Sequence, residues 1–323
     1  MSVILPTYNR LSRLKECLPT FLRTKLQDVE FIIVDNCSTD GTWSYLMELA
    51  SSDKRIRILQ NPQNVGAVKS ILRCYCEVKS PFALFLADDD KLEGDYIQLC
   101  YNIFIKHENV GMIHHFASGW KNNVVDQKDD YIIHKAGEGA QMAISLISGS
   151  YPGIAFRMNN FDLESFSLDE GAIYPQVKAS FQVSKDYDLA IIKKCGIVSP
   201  DWNESIVKLY DDQKRPTDFG LNERIFYINK YTSRKVLFSF VYQTFPWLAD
   251  QTIRFKNESK SSPLKILFSV SKYYFNLFSL MHLIMRREYK FTAYYLLVLL
   301  VRPVCVLNFI TFSIEIAYFK KIQ

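Results

Sequence analysis

Short apolar runs alternate with helix-like segments through the first 90 residues, and this alternation limits the possible folds more than any other feature. Apolar runs of strand length occupy residues 3–6, 30–35, 56–59 and 82–86. Between the first two runs, Leu11, Leu14 and Leu18 recur at helical spacing, with Ser12 as the expected helix cap. Most of the strands are continuously apolar, which favours a parallel sheet covered by helices on both faces. The sequence therefore predicts an α/β fold with a Rossmann-like, mainly parallel sheet.

The pattern is mixed beyond residue 95. We expect strands at residues 110–116 and 151–158, a polar loop over 122–139, and a helix over 174–194. His114 and His115 are adjacent on the first of these strands, so their side chains should point to opposite faces, and packing is favoured over metal binding. Arg215 and Arg224 lie in a polar stretch that is either a solvated loop or one that closes over a ligand.

Polar side chains follow three of the predicted strands at the point where each strand ends. These groups are Thr7-Tyr8-Asn9-Arg10, Asp35-Asn36 and Asp88-Asp89-Asp90. Ligands of open α/β sheets bind outside the carboxyl ends of the strands, so these groups should share one crevice. Three consecutive aspartates repel one another unless a cation lies nearby, and hard divalent cations prefer oxygen ligands and bridge phosphates. The glycine pattern GxGxxG of dinucleotide-binding folds is absent.

Four motifs in order over about 90 residues resemble the family 2 glycosyltransferases, which have the GT-A fold. The matching segments are 2–10, 31–42, 61–66 and 85–90, read as SVILPTYNR, FIIVDNCSTDGT, NPQNVG and FLADDD. The resemblance implies a GT-A catalytic domain over residues 1–224. Its nucleotide-sugar-binding half would span 1–95 and its acceptor half 96–224. The resemblance does not cover residues 225–323, where apolar and aromatic residues dominate and a helical tail is expected.

The resemblance also implies roles for the matching residues. The nucleotide pocket would be lined by Pro6, Thr7, Tyr8 and Arg10. Asp35 would hydrogen-bond the base beside Asn36 and Ser38, and the base and diphosphate would lie along Asn64, Gly66 and Lys69. Asp88 would hold the ribose or sugar near the cation, and Asp90, the last residue of a DXD motif, would bind Mg²⁺ or Mn²⁺. Asp89 could face either way.

The Glu-Asp pair from which many members of the family supply the catalytic base is absent from this sequence. A helix start of similar appearance carries Asp169 and Glu170, and we expect Asp169 first and Glu170 second to take the proton of the acceptor hydroxyl. The alternative is that both residues cap the helix. The segment Tyr174-Pro175-Gln176 resembles an abequosyltransferase-like subgroup that builds bacterial surface polysaccharide.

The tail differs in charge from the rest of the chain. Residues 230–323 contain 14 Lys and Arg but 4 Asp and Glu, whereas residues 1–229 contain 25 and 30. Its uncharged runs are shorter than the about 20 residues that span a bilayer, and Pro303 interrupts it. Basic, aromatic helices lying on an anionic membrane surface fit best. The alternatives are packing on the catalytic domain, contact between two copies of the chain, or a true span.

These features predict an inverting, metal-dependent transfer of a sugar from a nucleotide-sugar to a glycan. A lipid-linked O-antigen or capsule intermediate would share the membrane surface with the tail. The seven cysteines form no paired CxxC clusters and are expected to be reduced. We therefore expect a peripheral protein on the cytoplasmic face of the bacterial inner membrane, or a cytoplasmic one. The alternatives are a nucleotidyltransferase and a non-enzymatic membrane-bound scaffold; no motif supports nucleic-acid binding.

Overall fold

The computed structural model describes residues 1–115, 130–147, 153–160, 175–193, 196–198, 227–228, 230–233 and 236. The chain divides into two compact units, Met1–Leu209 and Tyr210–Gln323. In the second unit, Tyr227 and Ile228 are buried, and the Tyr227 and Tyr231 rings stack at 6.1 Å. Within the described part of the chain, no helix combines the length and apolar character needed to cross a bilayer.

The first 85 residues alternate strand and helix, as predicted. The elements in order are β1 (Ser2–Thr7), α1 (Leu11–Leu22), β2 (Glu30–Asp35), α2 (Thr42–Ser52), β3 (Ile56–Gln60), α3 (Ala67–Cys76) and β4 (Phe82–Phe85). Strand β1 lies between β2 and β4 and is parallel to both, and β2 is parallel to β3. The carboxyl ends of all four strands therefore meet at one edge of the sheet.

The remaining described elements extend this sheet and add one small ribbon. They are β5 (Lys91–Leu92), α4 (Tyr96–Lys106), β6 (Val110–His115), β7 (Tyr131–His134), α5 (Glu138–Ile147), β8 (Ala155–Arg157), a 3-10 turn (Met158–Asn160), α6 (Pro175–Asp186), β9 (Asp188–Ile192) and β10 (Ile197–Val198). The main sheet has the order β3-β2-β1-β4-β8-β6-β9-β7, and β5 pairs with β10. Only β8 and β7 run antiparallel to their neighbours in the main sheet, which confirms the mixed, mainly parallel sheet.

The core follows from the amphipathic pattern of the helices. Leu14, Leu18 and Phe21 of α1 are at most 1% exposed and pack against the buried apolar side chains of the strands. Strand residues Val3, Leu5, Phe31 and Ile33 belong to the same cluster. Burying aliphatic and aromatic side chains of this size contributes about 1.5–3 kcal/mol each, so this layer holds the edge of the sheet in place.

The predicted helix over residues 174–194 is wrong in its second half. Helix α6 ends at Asp186, and residues 188–192 form strand β9 between β6 and β7. All five residues of β9 are buried, since the strand is covered on both faces. A continuous apolar run of this length fits a helix and a buried strand equally well, and pairing with β6 decides for the strand.

Three smaller predictions also needed correction. The loop predicted over residues 122–139 contains strand β7 and the start of α5, because β7 is an edge strand whose half-buried residues carry no clear alternation. The strand expected at 151–158 is shorter, with β8 at Ala155–Arg157. Helix α1 begins at Leu11 rather than after Ser12, and its first amide donates to Asp40 Oδ2 at 3.1 Å. The cap comes from a residue 29 positions away, which no local pattern reveals.

His114 and His115 do not point to opposite faces as predicted. Both are buried, and their rings stack with centroids 5.6 Å apart. His114 Nδ1 accepts the His115 backbone amide at 2.8 Å. Among the described residues, no group of three or more His, Cys, Asp or Glu is arranged to hold a metal ion.

Candidate active site at the carboxyl edge of the sheet

The polar residues predicted to share a crevice do lie at one edge. Thr7 ends β1, Asp35 ends β2, Gln60 ends β3, and Asp88 follows β4. Thr7 and Asp35 are register partners on neighbouring strands, as are Asp35 and Gln60. The parallel pairing, rather than proximity in sequence, brings these side chains together.

A hydrogen bond joins the ends of β1 and β4. Thr7 Oγ1 donates to Asp88 Oδ2 at 2.7 Å. Burial raises the pKa of Asp88 to about 6, against the opposing effects of the Arg10 charge and the Thr7 hydrogen bond. Asp88 keeps part of its side chain at the surface, yet enough protein surrounds the carboxyl to disfavour its charged form. A cation beside Asp88 would reverse that effect.

The three aspartates differ in their surroundings. Asp90 is 1% exposed, whereas Asp88 and Asp89 are partly exposed. Mg²⁺ usually binds one or two protein carboxylates and takes its other ligands from substrate phosphates and water. Asp88 and Asp90 suit such an ion by their chemistry, because two carboxylates on one turn need a diphosphate to complete the coordination. Asp88 and Asp90 therefore suit a cation that binds together with a nucleotide.

Helix α1 and the residue that follows it anchor the segment 88–92, which we call the aspartate turn. Cys17 Sγ donates to the Asp88 carbonyl oxygen at 3.4 Å, and the Leu92 amide donates to Thr20 Oγ1 at 2.9 Å. Arg23 also donates to the Leu92 carbonyl oxygen. Burial, followed by the charges of the three aspartates, raises the pKa of the Cys17 thiol, so Cys17 acts here as a neutral donor. The turn is thus fixed at both of its ends.

Asp35 is enclosed at the end of β2. Its side chain is 0% exposed and accepts the Ser38 amide at 3.1 Å, the Ser38 hydroxyl, and Gln60 Nε2 at 2.9 Å. Ser38 Oγ in turn accepts the Asn9 amide at 2.8 Å. Asn9 and Cys37 have positive φ angles of 51° and 66°, and the turns they form bring the loops after β1 and β2 together.

A network of amides shapes the loop after β3. Asn36 Nδ2 donates to Asn64 Oδ1 at 2.7 Å, and Asn36 Oδ1 accepts Asn61 Nδ2 at 2.9 Å and the Val65 amide at 3.0 Å. Arg73 of α3 reaches back to Asn61 Oδ1 at 2.5 Å. Every polar atom of the Asn36 side chain is therefore satisfied inside the loop, which makes Asn36 a residue that shapes the site.

The same loop leads into the first turn of α3. Gly66 has a φ of 84°, and its amide donates to Asn64 Oδ1 at 2.9 Å. No side chain caps α3, and Lys69 in its first turn is exposed. Uncapped amides and a nearby ammonium attract anions such as phosphate. The diphosphate position that the sequence implied for Gly66 and Lys69 stays a prediction.

The structure places thirteen predicted site residues around this edge. They are Pro6, Thr7, Tyr8, Arg10, Asp35, Asn36, Ser38, Asn64, Gly66, Lys69, Asp88, Asp89 and Asp90. Tyr8 is 40% exposed. The two candidate bases, Asp169 and Glu170, lie outside the described residues, as do Arg215 and Arg224.

Sequence reasoning missed four residues that organise the site: Thr20, Gln60, Asn61 and Arg73. Gln60 ends β3 and Asn61 directly follows it, so the rule that picked out Asp35 and Asp88 would also have found them. Thr20 and Arg73 lie on helices, where nothing local marks them. Their roles depend on partners 72 and 12 residues away.

Comparison with known proteins agrees with the fold. Residues 2–161 match the family model described as Glycosyl transferase family 2. The structure resembles that of S. aureus TarS 1-349 in complex with UDP-GlcNAc, with a TM-score of 0.59, 14% identity, and coverage of 84% of this chain and 80% of that one. At this identity the likeness shows the fold alone, which is the GT-A fold.

Two proteins are similar to this chain in sequence. A Bacillus subtilis protein provisionally named teichuronic acid biosynthesis glycosyltransferase TuaG is 32% identical over 98 residues, which is 30% of this chain and 39% of that protein. Chondroitin synthase of Pasteurella multocida is 27% identical over 114 residues, 35% of this chain and 12% of that protein. The chain thus covers well under half the length of either relative. Residues 2–161 are thus similar in sequence to the family 2 glycosyltransferases.

Proposed function

We propose that this protein transfers a sugar from a nucleotide-sugar to a glycan hydroxyl, with inversion and with the help of Mg²⁺ or Mn²⁺. The observation that carries the proposal is the joined edge of β1 and β4, where Thr7 holds Asp88 at 2.7 Å beside Asp90. This edge offers carboxylates for a cation, and the first turn of α3 with Lys69 offers positive charge for a diphosphate. A nucleoside diphosphate with its cation needs both.

Each part of the edge has a task in this reaction. The cation, when bound, stabilises the charge that develops on the leaving diphosphate. Asp88 and Asp90 hold the cation, and Tyr8 and Arg10 line the nucleotide pocket. A carboxylate must also take the proton of the acceptor hydroxyl as that hydroxyl attacks the anomeric carbon. We assign this task to Asp169 first and Glu170 second, on the resemblance of their segment alone.

The acceptor that we propose is a lipid-linked intermediate of a bacterial surface polysaccharide, such as O-antigen or capsule. The name of the Bacillus subtilis relative, which refers to teichuronic acid biosynthesis, is in keeping with a polysaccharide product. The basic, aromatic tail would hold the enzyme on the cytoplasmic face of the inner membrane, where such an acceptor is reached. The subgroup implied by Tyr174-Pro175-Gln176 belongs to the same proposal.

Calorimetric titration with UDP, GDP, CDP and dTDP tests the donor site. Each nucleotide is added with Mn²⁺ and again with EDTA, to the wild type and to the variants D88N and D90A. We expect one nucleotide to bind with Mn²⁺ and the binding to fall at least about tenfold in both variants, because each loses a cation ligand. Asp53→Asn, which alters a carboxylate paired with Arg55 away from the edge, is the control and should bind normally.

The outcomes separate the alternatives. If no nucleotide binds to folded wild-type protein, the transferase proposal fails and the scaffold alternative gains support. If a nucleoside triphosphate with Mn²⁺ binds and is cleaved to pyrophosphate while nucleotide-sugars do not react, the nucleotidyltransferase alternative is favoured.

Flotation of the full chain with vesicles tests the membrane part separately. We expect it to float with vesicles that contain phosphatidylglycerol, to float less with pure phosphatidylcholine, and to be released by high salt. Equal flotation with both vesicle types would contradict electrostatic binding by the tail. A concentration-dependent dimer that ignores both vesicle types would favour contact between copies.

A further inference from the structure

Asp35 cannot reach a ligand in its present surroundings. Its side chain is 0% exposed, and both carboxylate oxygens already accept hydrogen bonds from Ser38, with Gln60 as a further donor. A base that bound Asp35 directly would have to displace one of these donors and enter a closed space. Such displacement costs the hydrogen bond that is lost as well as the desolvation of the groups involved.

Gln60 occupies the position between Asp35 and the solvent. It is the last residue of β3 and the register partner of Asp35, so the two side chains are neighbours across parallel strands. Unlike Asp35, Gln60 is exposed. Its Nε2 atom donates to Asp35 Oδ2 at 2.9 Å. Its Oε1 atom accepts no hydrogen bond from any residue within the described ranges.

The carboxylate fixes which way the amide faces. Turning the amide over would set Gln60 Oε1 against Asp35 Oδ2, two acceptors at hydrogen-bond distance, so that orientation is excluded. The backbone beneath is also held, because Arg73 Nη1 donates to the Gln60 carbonyl oxygen at 2.8 Å and the Asn61 amide donates to the Asp35 carbonyl oxygen at 2.8 Å. The result is an exposed amide of defined orientation at the ligand-binding edge.

We propose that Gln60, oriented by Asp35, is the residue that reads the nucleobase of the donor, with Oε1 accepting a base N–H. This inference rests on the proposed function, since it requires a nucleotide at this edge. Asp35 is then a positioning residue that acts on the base through Gln60. Nucleotide selectivity depends on the Gln60 amide, and the diphosphate and cation are bound without it.

Replacement of Gln60 by Met tests the proposal, because Met has a similar length and no hydrogen-bonding amide. UDP, GDP, CDP and dTDP are titrated with Mn²⁺ into the wild type and Q60M, together with inorganic pyrophosphate, which lacks a base. We expect Q60M to bind the preferred nucleotide about fivefold to tenfold more weakly and to rank the four nucleotides less sharply. Pyrophosphate affinity should change by less than about twofold.

Gln27→Met is the matched control, because Gln27 is an exposed glutamine in the connection between α1 and β2, at the other edge of the sheet. It should leave every affinity unchanged. A positioning role for Asp35 predicts non-additivity: D35N should weaken nucleotide binding in the wild type but add little to Q60M, whereas independent contacts would add in full.

Two results would overturn the proposal while leaving the transferase function intact. One is a Q60M protein that keeps both the affinity and the ranking of the wild type. The other requires no variant at all: the wild type binds the preferred nucleotide and its analogue methylated on the base N–H with equal affinity. Failure of wild-type protein to bind any nucleotide would instead count against the proposed function itself.

Discussion

Thr7 and Asp88 are 81 residues apart in sequence, and a hydrogen bond of 2.7 Å between Thr7 Oγ1 and Asp88 Oδ2 joins them. Thr7 is 3% exposed, so this bond is shielded from water along one side. It ties the end of β1 to the aspartate turn after β4 and orients one carboxylate oxygen. The cation and diphosphate that we propose for this site would benefit from ligands that are already oriented.

We predict that Asp88→Asn stabilises the protein at neutral pH when no cation is present. Burial raises the pKa of Asp88 to about 6 from its ordinary 3.8, so the native state holds this proton more tightly than the unfolded state. The free energy of unfolding therefore falls as the pH rises between about 4 and 6. Asn does not ionise, so Asp88→Asn avoids this decrease. We expect the variant to have a free energy of unfolding about 1–3 kcal/mol higher than the wild type at pH 7.5.

Urea unfolding in EDTA from pH 4 to pH 8 measures this difference. The two proteins should have similar stability at pH 4 and diverge above it. A difference that does not change with pH would contradict the prediction, because the effect would then come from packing and not from ionisation.

We predict that Thr20→Val loosens the aspartate turn. Thr20 Oγ1 accepts the Leu92 amide at 2.9 Å and donates to the Cys17 carbonyl oxygen at 2.7 Å, and Val keeps the shape without either bond. We expect unfolding to be easier by about 1–2 kcal/mol and Mn²⁺-dependent nucleotide binding to weaken severalfold. Ser51→Ala is the control, since the exposed Ser51 hydroxyl donates to the Glu48 carbonyl oxygen within α2, the same kind of bond that Thr20 makes to Cys17. Equal effects of the two changes would argue against a role for Thr20 in holding the turn.

We predict that Asn36→Asp disrupts the loop after β3. The change replaces the Nδ2 donor by a carboxylate oxygen facing Asn64 Oδ1, which now accepts at 2.7 Å. Asn36 is 4% exposed, so the new charge would be poorly solvated. We expect a loss of about 2–3 kcal/mol in the free energy of unfolding and at least about tenfold weaker nucleotide binding. Thermal unfolding and calorimetry measure the two effects, with the exposed Asn102→Asp on α4 as the isosteric control.

We predict unequal effects from the two partners of the Lys135–Asp188 ion pair. Lys135 Nζ lies 2.9 Å from Asp188 Oδ2, and the side chains are 84% and 4% exposed. Burial opposes ionisation of Asp188, but hydrogen bonds from Lys135 and the Ala136 amide prevail and lower its pKa. Stability from this group is thus present above the ordinary carboxyl pKa and is lost as the pH falls through the lowered one.

Asp188→Ala should lower the free energy of unfolding by about 2–3 kcal/mol at pH 7, because the Ala136 amide loses its acceptor as well. Lys135→Ala should cost under about 1 kcal/mol, since its ammonium is mostly in water. Chemical unfolding at pH 7 and pH 3 checks both values. Similar losses from the two variants would contradict this account.

The alternation of strands and helices up to residue 85 was predictable because each element has its own periodicity. The apolar runs of β1 and β2 predict buried strands without reference to distant residues. The structure confirms that their residues Val3, Leu5, Phe31 and Ile33 belong to the core. The same rule gave a wrong prediction for strand β9, which was expected to be helical. The run Asp188–Ile192 becomes a strand only because β6 and β7 lie on its two sides.

In the candidate site, too, some features were predictable from local sequence and others depend on tertiary packing. Residues at strand ends were predictable once the sheet was predicted to be parallel, so Thr7, Asp35 and Asp88 were found. Asp35 was expected to hydrogen-bond a base, and the structure encloses it behind Gln60. Nothing in the order of the residues shows that one side chain covers another.

Patterns in the amino-acid sequence were enough to predict the α/β class, the parallel edge of the sheet and the polar, acidic character of the crevice. Those properties depend on patterns within a few residues, which local sterics and hydrophobic burial convert directly into strands, helices and strand ends. The tertiary structure alone decided which polar groups are enclosed and which are exposed. Those outcomes depend on hydrogen bonds such as Thr7–Asp88, Thr20–Leu92 and Asp35–Gln60, whose partners are 25 to 81 residues apart. Partners so distant meet only when the sheet and its covering helices have packed.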